Sequence, residues 1–310
     1  MIEVQDLVKK YGPLRAVDGI SFSVARGELF GLLGPNGAGK TTTISVLATL
    51  LPADGGHARI GGHDVAAAPD KVRRLIGVVP QEIALYGDLG ARENLEFWGR
   101  LHGLSGRALA ARVTDLLEMA GLTEQGRQRV ETFSGGQKRR LNLAVGLVHS
   151  PEVLFLDEPT VGIDAQARSR ILELIRGLAA GGLTVIYTTH YLEEAEQLCD
   201  RIGVIDRGRM VALGDKEQLI QQIGDEDSVR LQLPAEQREA FAATVGAWPT
   251  VVSVREHRGR MELRTPDAAG LLPALQAWLD ERGLPLAQLE IGRPNLETLY
   301  LTLTGRGLRE

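Results

Sequence analysis

Residues 34–41 read Gly-Pro-Asn-Gly-Ala-Gly-Lys-Thr, set between an apolar run and a segment of helical character. No other stretch restricts the fold as much, because this spacing works only as a tight turn between a strand and a helix. Leu29, Phe30, Leu32 and Leu33 read as the buried strand before it, and residues 42–51 as the helix after it. The glycines let the backbone turn tightly enough for several N–H groups to converge on phosphate oxygens. The helix N-terminus adds partial positive charge at the same point. Gly34, Pro35, Asn36, Gly37, Ala38 and Gly39 then form the cradle, with Thr42 in the opening turn of the helix. Lys40 reaches the β and γ phosphates, and the Thr41 hydroxyl sits on Mg²⁺. A glycine-rich turn that merely happens to carry Lys-Thr would leave the flanking strand and helix unexplained. The pattern implies a nucleoside triphosphate ligand.

With 310 residues the chain exceeds one average domain, so two are expected. No apolar stretch approaches the ~20 residues needed to span a bilayer. The first residues include Glu3 and Asp6 and lack a signal-peptide core, so export is not expected and a cytoplasmic location is. The one cysteine, Cys199, excludes an intrachain disulfide and reads as a small packed hydrophobe. A net charge of -5 lacks the basic footprint of a nucleic-acid binder, and no nucleic-acid partner is expected.

Short strands are expected at residues 4–8, 20–24 and 29–33, with turns at Gly12-Pro13 and Arg26-Gly27. Gly55-Gly56 and Gly61-Gly62 punctuate a further strand pair, and residues 75–79 read as a central strand. Helices at 91–101, 107–120, 135–148 and 165–180 alternate with strands at 153–156 and 184–187. This order predicts an α/β core around a partly parallel sheet. From about residue 220 the character changes. Strand alternation at Val229, Leu231 and Leu233 precedes a helix at 235–245, then a hairpin of 251–256 and 261–264 around His257-Arg258-Gly259-Arg260. A helix at 268–281, a strand at 286–291 and a helix at 296–303 complete a β-α-β-β-α-β order, that of a ferredoxin-like unit. The expected domains are therefore residues 1–219, with a helical subdomain over about 82–150, and a smaller α+β domain over 220–310.

Two further motifs carry chemistry. Val-Leu-Phe-Leu-Asp-Glu-Pro-Thr ends an apolar strand with Asp157, able to hold Mg²⁺, and Glu158, able to orient or deprotonate a water. Phe-Ser-Gly-Gly-Gln opens a helix with Ser134, Gly135, Gly136 and Gln137, either a plain N-cap or a second phosphate-binding surface. Taken together over residues 1–215, these motifs resemble the nucleotide-binding subunit of ATP-binding-cassette (ABC) transporters. Gln81 matches that family's Q-loop, Ser134 to Gln137 its signature, Asp157 and Glu158 its Walker B pair, Asp164 its D-loop and His190 its switch histidine. Tyr11 matches the residue on which adenine stacks; it reads equally as a packed turn residue before Gly12-Pro13. Ile163 replaces the commoner leucine of the D-loop, and no catalytic position departs from the pattern.

The resemblance implies a P-loop cassette of mixed sheet and helical subdomain that hydrolyses ATP with Mg²⁺. It implies a head-to-tail homodimer in which ATP lies between one P-loop and the other copy's Ser134 and Gly136. Glu158 would be the general base, His190 would hold the γ-phosphate and water, Gln81 would contact Mg²⁺ or that water, and Asp164 would couple the two sites. An integral membrane permease would be the partner, which places the chain on the cytoplasmic face of the membrane. Residues 82–104 would receive the permease, with Leu85, Tyr86, Leu95, Phe97 and Trp98 as anchors or as helix packing. That segment and residues 294–305 resemble drug-resistance exporters, so drugs, antibiotics or other hydrophobic molecules are the expected cargo. A ribosome-acting ATPase would usually carry two cassettes, and a chromosome-maintenance ATPase a long coiled coil between P-loop and signature; neither pattern is present. A ligand-regulated signalling ATPase remains an alternative. His57 and His63 lie beside glycines without an acidic or cysteine cluster and read as surface residues, not metal ligands.

Overall fold

The computed structural model describes residues 1–222, 226–257, 259–285, 289–293 and 295–304. The chain divides into two compact units, Met1–Lys216 and a second that begins at Glu217. In the first, β1 (Ile2–Tyr11) and β2 (Leu14–Val24) pair through the Gly12-Pro13 turn. Next come β3 (Leu29–Leu33), α1 (Lys40–Leu47), β4 (Gly55–Ile60), β5 (His63–Asp64), α2 (Pro69–Leu75) and β6 (Ile76–Val79). Three helices follow: α3 (Ala91–Leu101), α4 (Gly106–Met119) and α5 (Gly135–Gly146). The chain returns to the sheet as β7 (Val153–Asp157), α6 (Ala165–Ala180), β8 (Thr184–Thr189), α7 (Leu192–Leu198), β9 (Arg201–Asp206) and β10 (Arg209–Gly214), and α8 (Lys216–Gln221) begins where the unit ends.

Two sheets result. One is antiparallel in the order β2-β1-β4-β5; the other runs β10-β9-β3-β8-β7-β6 and is parallel except for the β9–β10 hairpin. Strands β3, β7 and β8 are buried along their whole length, as expected of parallel strands covered on both faces. Leu154 and Leu156 face the core shared with α3 to α6, while Val153 and Phe155 face the core shared with α1 and the antiparallel sheet. The P-loop thus emerges from the most enclosed part of the fold.

The strand expected at 75–79 is not central. It is the edge of the six-stranded sheet, shortened to Ile76–Val79. Its continuous apolar character comes from helix cover, not from a second neighbouring strand: a Cβ added at Gly77 would collide with the Gly146 carbonyl of α5. The Cys199 residue is half-buried but its sulfur is enclosed, and that burial pushes the thiol up, so it packs and does not react. His57 is exposed and His63 half-buried.

The second unit contains β11 (Asp227–Leu231), α9 (Ala235–Val245), β12 (Ser253–His257), β13 (Arg260–Thr265), α10 (Ala268–Asp280), β14 (Glu290–Gly292) and α11 (Leu296–Thr304). Its sheet order is β12-β13-β11-β14 with all neighbours antiparallel, the order that split β-α-β connections produce. Val229, Leu231, Met261 and Leu263 share one face and pack with Phe241 and Trp278, whose rings meet edge-on at 5.1 Å. Of the strand expected at 286–291, residues 286–288 lie outside the described residues, as do Arg258 of the hairpin turn and Pro294 and Gly305 of the exporter-like segment.

Candidate active site

The turn after β3 depends on glycine where the chain has no room for a side chain. Gly39 has φ +109°, and a Cβ there would strike the Ala16 carbonyl oxygen; at Gly34 a Cβ would strike that of Ile205. Helix α1 starts at this point without a side-chain cap, so its first N–H groups keep their capacity for an anion. Asn36 and Gly37 are exposed, Pro35 and Thr42 half-buried, Ala38 buried, and Thr41 stands exposed at the helix start.

Lys40 is only 4% exposed. Its Nζ donates to the Gly34 and Pro35 carbonyls at 2.7 and 3.0 Å, and lies 2.9 Å from Glu158 Oε1. The other oxygen of Glu158 is 3.1 Å from His190 Nδ1. Two buried opposite charges therefore satisfy one another at the mouth of the P-loop. Glu158 adopts φ 45°, a left-handed conformation that costs a non-glycine residue of order 1–3 kcal/mol. Thr188 holds it there: its hydroxyl accepts the Glu158 N–H at 3.0 Å and donates to Asp157 Oδ1 at 2.7 Å. The end of β7 and the end of β8 are thus pinned together, which sets Glu158 between Lys40 and His190.

The other expected residues form a second group. Ser134 caps α5 through a reciprocal capping box, Gln137 N–H to Ser134 Oγ at 3.2 Å and Ser134 N–H to Gln137 Oε1 at 2.9 Å. Gly135 is exposed, and Gly136 is closed against Ala167, which a Cβ there would contact at 2.7 Å. Asp164 caps α6, accepting from Ala167 N–H at 2.8 Å. The signature turn and the Asp164 turn therefore pack on each other. Gln81 is exposed just beyond β6. Tyr11 is 48% exposed at the end of β1, with Lys9 Nζ 5.9 Å from its ring centroid, so it is an open face and not a packed turn residue.

Among the five expected anchors, Leu95 is fully buried in α3, and Leu85 and Trp98 pack against the same core. The helical period turns Leu95 and Trp98 inward, while Leu85 packs there from the segment that precedes α3. Tyr86 and Phe97 remain exposed and touch edge-on at 4.9 Å.

Several polar groups lie outside the expected motifs. Thr188 pins both acidic residues. Glu194 is buried beside the His190 turn. Arg139 and Asn142 on α5 reach either side of Gln81: the Arg139 guanidinium donates to Pro80 O at 3.4 Å, and Asn142 Oδ1 accepts from Ala84 N–H at 3.2 Å. Arg139 and Asn142 could have been marked from sequence only as polar residues among the apolar ones of α5, and Thr188 and Glu194 carry no such signal.

Among the described residues no three His, Cys, Asp or Glu side chains are placed to hold a metal by themselves. The available donors are a Thr41 hydroxyl, an Asp157 carboxylate and a Gln81 amide. That hard-oxygen set suits an Mg²⁺ ion that also takes phosphate oxygens and water. No helix among the described residues is long and apolar enough to cross a membrane.

Residues 17–161 match the sequence profile of the family described as ABC transporter. Over the full length of both proteins the chain is 45% identical to the linearmycin resistance ATP-binding protein LnrL of Bacillus subtilis (strain 168). It is 43% identical to the daunorubicin resistance ATP-binding protein DrrA3 of Streptomyces coeruleorubidus, across 98% of this chain and 96% of that one. Among solved structures, the dimeric post-hydrolysis state of the cassette MJ0796 bound to ADP and Pi matches with a TM-score of 0.63 at 26% identity, covering 69% of this chain and 98% of that one.

Proposed function

The chain belongs to the ABC transporter family, and on that premise we propose that it drives a separate membrane permease that exports hydrophobic or amphiphilic antibiotics. It binds and hydrolyses ATP. The observation that carries the site assignment is the 2.9 Å contact between Lys40 and Glu158, which brings the P-loop cation and the candidate base to one buried point.

Glu158 is the counter-ion of Lys40 in this structure. An arriving γ-phosphate offers Lys40 a stronger anionic partner, and Glu158 is released to accept a proton from water. The water oxygen bonds to the γ-phosphorus as the bond to the bridging oxygen breaks, and that electron pair leaves with ADP. His190 keeps its hold on Glu158 and orients the γ-phosphate. Gly34, Pro35, Asn36, Gly37, Ala38, Gly39 and Thr42 supply the backbone cradle, and Tyr11 offers its open face to adenine. Thr41, Asp157 and Gln81 would hold Mg²⁺, which neutralises charge on the phosphates. Ser134, Gly135, Gly136 and Gln137 would close on ATP held by a second copy, with Asp164 at the same seam.

The permease would dock on the exposed Tyr86–Phe97 pair, which places the chain at the cytoplasmic face of the membrane. The cargo class follows from the resistance proteins that the chain resembles. Residues 1–216 would act as the cassette, and the second unit would brace the dimer, since its apolar alternation is accounted for by its own core. The test is affinity capture of the Glu158→Gln protein with ATP from detergent-solubilised membranes. A stoichiometric multi-span protein is expected; ribosomal proteins, or a bare dimer, would overturn the transport reading.

A further inference from the structure

Glu194 belongs to no motif, yet it is 3% exposed, an uncommon place for a carboxylate unless it is paired. Its Oε2 accepts hydrogen bonds from the Tyr187 hydroxyl at 2.7 Å and the Thr189 hydroxyl at 2.8 Å. Burial, and then the Glu194 charge, hold the Tyr187 phenol well above its ordinary range, so it stays a donor. The Thr189 hydroxyl in turn accepts the Tyr191 N–H at 2.9 Å. Thr189 and Tyr191 flank His190, so both sides of the histidine are tied to a single carboxylate.

The second oxygen of Glu194 faces another element. Its Oε1 is 3.5 Å from Nε of Arg168, in the first turn of α6, whose N–H donates to the Asp164 carbonyl at 2.9 Å. The Arg168 guanidinium lies 4.7 Å over the Tyr191 ring, and that ring lies 4.2 Å from the His190 imidazole. Among the described residues neither Arg168 Nε nor Glu194 Oε1 has a hydrogen-bond partner, although both atoms are buried. A shift of α6 by roughly 0.5 Å towards Glu194 therefore makes a charge-assisted hydrogen bond between them.

We infer that Glu194 is a positioning residue for ATP hydrolysis, fixing the His190 turn and linking it through Arg168 to the helix that Asp164 opens. A movement at the Asp164 turn is then read by His190 within the same chain, and from there by Glu158. Two hydroxyl donors alone would be served by a glutamine. The carboxylate is required by Arg168.

The inference rests on the assignment of His190 to the reacting phosphate, so the experiment separates the two. Steady-state ATPase kinetics are measured on the purified full-length chain and on His190→Ala, Glu194→Gln, Arg168→Met and the Glu194→Gln/Arg168→Met double variant, with melting temperatures alongside. Misplacing a reacting group by about 1 Å costs up to ~10²-fold, so Glu194→Gln should lower kcat by roughly tenfold and leave KM within about twofold. Arg168→Met alters a partly exposed side chain and should give a smaller fall, and the double variant should be no slower than Glu194→Gln alone. Unchanged kcat in Glu194→Gln, or multiplicative losses in the double variant, would overturn the inference and leave the site assignment standing. Full turnover in His190→Ala would overturn both.

Discussion

Two helix N-termini in this chain are the candidate phosphate sites, and they are built in opposite ways. Helix α1 begins at a left-handed glycine with no side-chain cap, and its lysine is buried against Glu158. Helix α5 begins at Ser134 with a complete capping box; Ser134 and Gly135 lie open to solvent, while Gly136 is buried against Ala167. The first is an anion site finished inside one chain, with its lysine paired to the chain's own carboxylate. The second has its side chains satisfied by each other and leaves only a glycine backbone to be met. A site of the first kind can bind alone. One of the second kind contributes only when another surface brings the phosphate to it.

The largest effect that tests this contrast is expected at Glu158. Glu158→Gln should cut phosphate release by ~10²-fold or more while ATP binding persists and ATP-dependent dimers accumulate, as loss of a general base requires. Near-normal turnover would reassign the base. Lys40→Ala should weaken ATP binding by about tenfold or more, measured by nucleotide titration, through loss of a charge-assisted contact. It also strands a buried carboxylate, so thermal or urea melts should register a loss of roughly 3 kcal/mol. Adding Glu158→Gln to that variant should restore stability but not binding.

Ser134→Ala sharpens the other half of the comparison. It should leave ATP binding to the monomer intact, cost about 1 kcal/mol through the lost cap, and reduce hydrolysis in proportion to lost dimer. Weaker binding by the monomer would mean that the two helix ends serve one chain after all. The smallest effect expected lies outside both sites. His149 stacks on His102 at 3.9 Å, bonds Ile76 O through Nε2 at 2.8 Å, and has a buried Nδ1 with no hydrogen-bond partner among the described residues. Burial, and then the neighbouring His102, hold it below its ordinary value; Arg112 adds to this, and the Ile76 carbonyl opposes it. The unfolded chain therefore binds the proton more readily, and stability falls as pH drops through about 6.5 towards the folded value. His149→Gln should flatten the melting temperature between about pH 7 and 5.5, with the ATPase rate at pH 7 unchanged.

The strand at Leu29–Leu33 and the helices Ala91–Leu101, Ala165–Ala180 and Ala235–Val245 match the periodicity read from sequence to the residue. Each is a local pattern with its own start and stop signals. The edge position of Ile76–Val79 was not legible, because helix cover and strand cover leave the same apolar run. For Leu85, Tyr86, Leu95, Phe97 and Trp98 the sequence left anchor and packing both open: a helix declares that it has an inner face, but its neighbours decide which residues occupy it, and here Leu95 and Trp98 do. Glu194, Thr188, Arg139 and Asn142 were invisible because each matters through a partner distant in sequence. Thr188 meets Asp157 and Glu158 only because β7 and β8 lie side by side.

The sequence by itself determined the succession of strand, glycine turn and helix at residues 29–47, and the motif order by which the family is recognised. Spacing and local backbone preference suffice for that, since each motif closes within a few residues. Only the tertiary structure decided that Lys40 and Glu158, 118 positions apart in the chain, would neutralise one another, and that the Ser134 turn would lodge against Asp164. Charge pairing in a buried site depends on which strand ends the sheet brings together, and no local pattern encodes that adjacency.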